Sequence, residues 1–359
     1  MSKGVIQISK IAIITGITGQ DGAYLSRLLL EKGYVVHGVV PRCEVDNKER
    51  LSQILDNNNL YLHDGDLLDG GRLQYLLSSI MPDEVYNLAA QSHVGVSFNI
   101  PEYTGNVNAL GVLRLLEIIR NLKKEIRFYQ ASSSELFGNS PAPQNEKTLM
   151  QPLSPYAISK HFAFQTVKMY REAYGLHASN GILFNHESPI RGEDFVTRKV
   201  TKAVAETVLG QRKTLQLGNL SAERDWGYAQ DYVYGMWLML QQEQADDYVL
   251  ATGQMHSVRE LVEIAFEAIN VSIIWDGSGL EEKGIHKDTG EILIAVDPKL
   301  YRPNEVHKLC GDATKANKIL GWAPQIDFKS MVSDMVHTDM QSLETSLGGK
   351  KDKRLQHAA

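Results

Sequence analysis

Tyr156 and Lys160 stand four positions apart in SPYAISK, at the head of an apolar-periodic segment that runs from Tyr156 to Tyr174. On a helix such a pair lies on one face, so a phenol and an ammonium share one site. A phenol with an ordinary pKa of about 10 is a poor base. A neighbouring ammonium favours the phenolate and brings abstraction of an alcohol proton within reach of neutral pH. Tyr-x-x-x-Lys alone is common on helix faces. Here it follows FYQASSSELFG, in which the apolar run Ile126 to Gln130 has strand character and ends in Ser133-Ser134-Glu135. A hydroxyl, a carboxylate, a phenol and an amine are thus delivered by one strand end and one helix start.

The elements that must position these groups can be read upstream. Residues 11–16, IAIITG, form a continuous β-branched run closed by glycine, the pattern of a buried parallel strand. Gly16-Ile17-Thr18-Gly19-Gln20-Asp21-Gly22 follows, then AYLSRLLLEKG, with Leu25, Leu28 and Leu29 on one helical face and Gly33 at its C-terminal end. Glycines let the backbone approach a diphosphate, and the helix N-terminus offers free N–H groups and the positive end of its dipole. Strand, glycine turn and helix therefore predict a dinucleotide site, with spacing G-x-x-G-x-x-G. The second strand, VVHGVV, ends in Pro41-Arg42, and an Arg there accommodates a ribose 2′-phosphate, which favours NADP. In DGDLLD, Asp66-Leu67 suits an adenine edge. DEVYNLAAQSHV is a fourth strand running into a small-residue turn, where Ala89 and Ala90 let backbone lie against the cofactor and Ser92 begins the substrate wall. Residues 109–121 read as an amphipathic core helix. ASNGILFNHESP is a further strand opening a loop with Asn185, His186 and Arg191. Strands alternating with helices at this rhythm predict an α/β fold with a Rossmann-type doubly wound parallel sheet.

Beyond residue 186 the periodicity loosens. FVTRKVTKAVAETVL reads as a helix, LQLGNLSAERDWGYAQDYV as a strand and loop, and YVLATG as a strand returning to the sheet. Ser257 and Glu260 form a capping box for a helix to Ile269. LYRPNEV is a loop carrying Arg302 and Glu305, Asp312 to Gly321 a capped helix, and 343–359 a charged tail whose last stretch, GGKKDKRLQHAA, is frayed. The expected division is an NADP-binding domain of 1–185 with about 231–254 and 306–319, and a smaller, discontinuous α/β substrate domain of about 186–230, 255–305 and 320–342. The net charge of −6 supplies no basic field for nucleic acid, so any anionic substrate must be met by local Arg, Lys and backbone N–H groups. Two cysteines, Cys43 and Cys310, argue against a disulfide framework, and the Ile11–Ile14 run is too short for a signal peptide or membrane span. A cytoplasmic enzyme without metal is expected, since no metal-ligand spacing is present.

With these residues in view, TGITGQDGAYL, DEVYNLAAQSHV, GILFNHESP, FVTRKV, GNLSAERDWGYAQDYV, ATGQMHSVRE and YRPNEV resemble segments of the GDP-mannose 4,6-dehydratase family of extended short-chain dehydrogenases/reductases, over about residues 10–340. The resemblance implies NADP, a homodimer or homotetramer, and loss of water from GDP-mannose to give GDP-4-keto-6-deoxymannose. Tyr156 beside Lys160 would take the sugar C4 hydroxyl proton as hydride leaves C4. Glu135 would remove the C5 proton and protonate the departing C6 hydroxyl, and Ser133 would donate to the oxygen at C4. It further implies cofactor contacts from Gly16, Thr18, Gly19, Gln20, Asp21, Gly22, Arg42, Asp66, Leu67, Leu88, Ala89, Ala90, Ser92, Tyr156, Lys160, Asn185, His186 and Arg191. Substrate contacts would come from Ser92, Ser134, Glu135, Asn185, Lys199, Leu217, Gly218, Arg224, Arg302 and Glu305. Sugar 4-epimerases of similar fold need no carboxylate at position 135, and TDP-glucose dehydratases carry Asp-Glu where this chain has Ser134-Glu135. The chain departs from the family's usual residues at Ser133 (usually Thr), at Pro41-Arg42-Cys43-Glu44 (usually Arg-Arg and a serine-rich stretch) and at Ile190 (usually Arg). The same chemistry on a larger GDP-sugar, such as GDP-manno-heptose, and a silent NADP-binding sensor are the competing readings.

Overall fold

A computed structural model of the chain describes residues 9–41, 48–211, 214–301, 306 and 308–356. The chain divides into two units. The first comprises 1–184, 229–253 and 309–323, the second 185–228, 254–308 and 324–359.

The first unit begins β1 (Ile11–Thr15), α1 (Gln20–Glu31), β2 (Val35–Val40), β3 (Leu60–Asp64), α2 (Gly70–Ile80) and β4 (Glu84–Asn87). It continues with α3 (Val94–Ser97), α4 (Pro101–Gly105), α5 (Gly111–Asn121), β5 (Arg127–Ala131), α6 (Pro155–Tyr174) and β6 (Ala178–Leu183). The second unit's first pass is β7 (Asn185–Glu187), α7 (Val196–Val208), β8 (Leu215–Leu217), β9 (Glu223–Arg224) and β10 (Trp226–Tyr228), so the stretch expected as one strand and a loop holds three short strands. The chain returns to the first unit with α8 (Ala229–Gln241) and β11 (Tyr248–Leu250). It leaves again for β12 (His256–Ser257), α9 (Val258–Glu267), β13 (Ile273–Asp276), β14 (Lys283–His286) and β15 (Ile292–Val296). After β16 (Lys308–Leu309) and α10 (Thr314–Leu320), it closes with α11 (Phe328–Gln356). The last stretch, expected to fray from Gly348, is instead helical through Gln356.

The first unit's sheet has seven strands in the order β11-β6-β5-β4-β1-β2-β3, all parallel. The order reverses between β1 and β4, and the strand ends that flank this switch point carry Gly16 and Leu88–Ala90, where a doubly wound sheet opens its crevice. Ile13, Val85 and Phe128 pack one face against Leu73, Leu76, Leu115, Leu116, Ala163 and Val167 of α2, α5 and α6. Each fully buried aliphatic or aromatic side chain contributes roughly 1.5–3 kcal/mol. At the base of β4, the wholly buried Glu84 accepts from Lys10 (2.9 Å), Tyr34 (3.1 Å), Tyr86 (2.7 Å) and Gln241 of α8 (3.2 Å), which ties the returning helix to the sheet. Burial, and then the Glu84 charge, push the Tyr34 and Tyr86 phenols well above their ordinary range.

In the second unit, β13, β14, β15 and β8 form a four-stranded mixed sheet. Its core joins Val200 and Val204 of α7, Leu261 and Phe266 of α9, and Met331, Val332, Met335 and Val336 of α11. Trp226 stacks on Phe328 within it at 5.5 Å between ring centroids. The capping box before α9 is half made: Ser257 Oγ accepts from Glu260 N (3.1 Å), but the Glu260 carboxylate turns to His256 Nδ1 at 2.8 Å.

Candidate active site

Gly16 has φ +71°, and a Cβ there would lie 2.7 Å from the Ala89 nitrogen. A Cβ on Gly22 would lie 2.4 Å from the Gly16 oxygen. Only glycines allow β1, the start of α1 and the turn after β4 to come this close. Gly19 occupies the N-cap of the 12-residue α1 with no side chain to cap it. Thr18 and Gln20 are buried, and Asp21 Oδ1 accepts from Gln20 Nε2 at 3.0 Å. An uncapped helix start under a Cβ-free turn fits a dinucleotide's diphosphate. Asp66 is partly engaged in its own turn, accepting from Leu68 N at 2.8 Å. Leu67 is buried against Gly111, so backbone is what it can offer a ligand. Leu88 N donates to Thr15 O at 3.2 Å, Ala90 is half-buried, and Ser92 is exposed. Arg42 lies outside the described residues. Arg50, which the sequence reading passed over, donates to Thr18 O in the glycine turn at 3.2 Å.

The reacting groups gather at the C-terminal end of β5. Ser133 N-caps a one-turn 3-10 helix, 134–137, its Oγ accepting from Glu135 N at 3.2 Å. That bond uses an acceptor lone pair and leaves the hydroxyl hydrogen for donation. Ser133 and Ser134 are buried and Glu135 half-buried. Helix α6 starts at Pro155 under a Ser154 cap, Ser154 Oγ accepting from Ala157 N at 3.0 Å. Tyr156 is 8 % exposed, and its N–H donates to Ser97 Oγ at 3.2 Å. Lys160 Nζ donates to Ala131 O at 2.8 Å and lies 5.9 Å from the Tyr156 ring centroid. The lysine is thereby fixed two residues before Ser133, and phenol, amine and the Ser-Ser-Glu turn share one strand end. Asn108, in a π-helical stretch at 106–110 ahead of α5, accepts from Gln91 N (2.8 Å) and donates to Ser159 Oγ (3.2 Å). The sequence reading began its amphipathic helix at 109 and left Asn108 outside it, because a π turn has no composition signal. His93 Nδ1 accepts from Val96 N at 3.2 Å and caps α3.

Burial pushes the Lys160 ammonium down from 10.5 to about 8, and the Asp21 charge works against that shift. The charged form is the penalised one, so the cost to stability is fully present below about pH 8 and fades as pH rises toward 10.5. Lys160→Met is therefore expected to leave the fold at least as stable as wild type near pH 7, by roughly 3 kcal/mol at most. The gain should shrink at about pH 9.5, while turnover is lost at both. Urea titrations at the two pH values check this, and an equal loss of stability at both would contradict it.

In the second unit, Asn185 and His186 lie half-buried on β7, whose register pairs them with Trp226 and Gly227 of β10. Arg191 Nε sits 3.0 Å from Glu187 Oε2, an ion-pair approach rather than an aligned hydrogen bond. Its guanidinium also stacks 3.6 Å from the Phe195 ring centroid, so Arg191 is held by its own loop. Lys199 is half-buried on α7, and Arg224 is buried with Nη1 donating to Glu223 O at 2.9 Å. Leu217 is a core side chain whose carbonyl accepts from Asp297 N at 2.8 Å, leaving only backbone for a ligand. A Cβ on Gly218 would meet Leu300 O at 2.8 Å. Arg302 and Glu305 lie outside the described residues. Among the described residues no group of three His, Cys, Asp or Glu could hold a metal ion, and no helix is long and apolar enough to cross a membrane.

A seven-stranded doubly wound sheet, a G-x-x-G-x-x-G turn and a Tyr-x-x-x-Lys pair at the end of β5 define an extended short-chain dehydrogenase/reductase. A family model described as GDP-mannose 4,6 dehydratase matches residues 13–335. The chain belongs to that family. The GDP-mannose 4,6-dehydratase of Sinorhizobium fredii is 53% identical over 342 residues, covering 93% of this chain and 97% of its own. Human GDP-mannose 4,6 dehydratase is 49% identical over 345 residues, covering 94% and 93%. The fold is also similar to that of dTDP-glucose 4,6-dehydratase from Bacillus anthracis in complex with NAD, with TM-score 0.77 and 20% identity over 94% of this chain and 98% of that one.

Proposed function

We propose that this chain converts GDP-mannose to GDP-4-keto-6-deoxymannose and water, with NADP held throughout the cycle. The observation that carries the reading is the convergence at β5: Lys160 bound to Ala131 O at 2.8 Å beside Tyr156, with Ser133 and Glu135 in the next turn. Tyr156 as phenolate accepts the C4 hydroxyl proton, and the Lys160 ammonium stabilises that phenolate. Ser133 donates to the oxygen at C4. Glu135 accepts the C5 proton, made acidic by the adjacent ketone, and returns a proton to the C6 hydroxyl as it departs as water. Bound with its diphosphate at the start of α1, the nicotinamide supplies the hydride acceptor and donor that no side chain provides. Gly16, Thr18, Gly19, Gln20, Asp21 and Gly22 would hold that end, with Asp66, Leu67 and the Leu88–Ser92 turn as further contacts in the first unit; Asn185, His186 and Arg191 are assigned to the cofactor from the sequence resemblance. NADP rather than NAD rests on Arg42.

For the GDP half we assign Asn185, Lys199, Arg224, Arg302 and Glu305, with Leu217 and Gly218 contributing backbone. Lys199 has no ion pair among the described residues, which supports a role toward an anion. The partner is a second copy of the chain: Ile158, Phe162 and Met169 are 58%, 45% and 44% exposed along α6 and form an apolar stripe suited to a homodimer. A cytoplasmic setting fits the buried Cys310, which is in no disulfide among the described residues. The test is mass spectrometry of GDP-mannose incubated with the purified protein without added cofactor. A product lighter by one water is expected, and unchanged substrate even with NADP supplied would overturn the reading.

A further inference from the structure

Three polar side chains that the reaction does not use directly, each hidden within a strand, form one buried thread with Lys160 beneath the site. Thr15 on β1, Asn87 on β4 and Gln130 on β5 are each about 1% exposed, and Lys160 on α6 is 4% exposed. Ala89 N donates to Thr15 Oγ1 at 3.2 Å, and Thr15 Oγ1 donates to Asn87 Oδ1 at 2.6 Å. Asn87 Nδ2 donates to Gln130 Oε1 at 2.7 Å, and Gln130 Nε2 donates to Ala131 O at 2.9 Å. Ala131 O is the same oxygen that accepts from Lys160 Nζ at 2.8 Å.

The direction of every bond is set by its neighbour. Ala131 O can only accept, so Gln130 turns its amide nitrogen to it and its oxygen to Asn87. That fixes the Asn87 amide with its nitrogen toward Gln130 and its oxygen toward Thr15, whose hydroxyl therefore donates. Flipping either amide would set donor against donor or acceptor against acceptor where no water can enter. Two donors on one carbonyl also compete for it, so the Gln130 bond limits how tightly the lysine amine is drawn onto the strand.

We propose that Gln130 is a positioning residue for Lys160, and that the Thr15–Asn87–Gln130 thread couples the turn after β4 to the carbonyl that holds the amine. The proposal rests on the reading of Tyr156 and Lys160 as the proton-transferring pair. The charge that bears on the amine is that of Asp21 at the start of α1, and the Tyr156 ring on its own helix lies 5.9 Å from it. The thread itself contains no titratable group, so its influence is through geometry and the shared acceptor.

Two variants test this in the full-length chain. Gln130→Met has similar length and neither donor nor acceptor. Gln130→Glu keeps the acceptor for Asn87 Nδ2 and replaces the donor that faces Ala131 O, while adding a carboxylate whose charge by itself raises the lysine midpoint. With [ε-13C]lysine-labelled protein, the Lys160 resonance, identified by its absence in Lys160→Arg, reports the amine's titration midpoint directly. Both substitutions are expected to raise that midpoint by about half a unit or more, because the carbonyl is left to the ammonium alone. They should lower kcat about tenfold with KM for GDP-mannose within about threefold, because the amine is displaced relative to Tyr156. In Gln130→Met a residue that only supports the strand would lower thermal stability and leave the lysine midpoint where it is, and that result overturns the proposal. Where Gln130→Met does not fold, an unchanged kcat in Gln130→Glu overturns it. A wild-type protein inert toward GDP-mannose would overturn the dehydratase reading alone, since the lysine titration still judges Gln130.

Discussion

Glu135→Gln is expected to lose at least about 10³-fold in kcat for loss of water, near the upper part of the range for removing a general acid–base group. Binding of NADP and GDP should stay within a few fold. The substitution keeps the side chain's length and volume. It also keeps the local scaffold, because the one-turn helix 134–137 is capped through the Glu135 backbone N–H on Ser133 Oγ, which a glutamine retains. What disappears is the only ionisable oxygen of the Ser133-Ser134-Glu135 turn. An amide neither removes a proton from C5 nor returns one to C6, so both of the steps that lead to water are lost together. Oxidation at C4 needs Tyr156, Lys160 and Ser133 and should survive. The check is exchange of the sugar C5 hydrogen with D2O, followed by NMR. Exchange at the wild-type rate in this variant would remove Glu135 from the mechanism.

The second large effect belongs to Gly22. An alanine Cβ there would stand 2.4 Å from the Gly16 oxygen and 2.5 Å from the Ile17 Cα, both backbone atoms of the turn. Neither can move without dragging β1, which is paired on both sides, with β4 and with β2. Gly22→Ala is therefore expected to destabilise the protein by about 3 kcal/mol or more, at the upper end for overpacking, and to weaken NADP binding more than tenfold, because the turn and the start of α1 must separate. Gly33→Ala is the matched control. It has φ +79° but no atom within 4 Å of its Cβ, so its cost is confined to backbone conformation at about 1 kcal/mol with cofactor affinity intact. Urea denaturation and NADP titration of the two variants check the contrast, and similar behaviour would show that the close approach at Gly22 carries no weight.

How much of this could be read from the chain depended on whether a feature leaves a period or a spacing. The seven-stranded sheet did, since a parallel strand buried on both faces is a continuous apolar run such as IAIIT, and glycines punctuate its turns. The Tyr156–Lys160 pair and the Ser133–Glu135 turn were legible as spacings, and their meeting at Ala131 O needed the fold. The thread through Thr15, Asn87 and Gln130 left no signal: each is one polar residue inside an apolar strand, and only the register of β1, β4 and β5 aligns them. Asn108 was hidden by a π turn. In the second unit, β13 to β15 are short, and Ile274 and Ile292 face outward, which blurs the alternation that marks a half-buried strand. The closing helix was obscured by its charged end, although Phe328, Met331, Val332, Met335 and Val336 carry a clear helical period. The Glu260 half of the capping box gave way to an ion-pair contact with His256 Nδ1 at 2.8 Å, which the spacing of Ser257 and Glu260 does not reveal.

The most direct test of the central claim uses GDP-mannose carrying deuterium at C4, incubated with the purified protein and no added cofactor. Dehydration that is redox-neutral overall predicts a product one water lighter with the deuterium now at C6 and one solvent hydrogen at C5. Deuterium lost to solvent, or oxidised sugar accumulating in step with reduced cofactor, would contradict it.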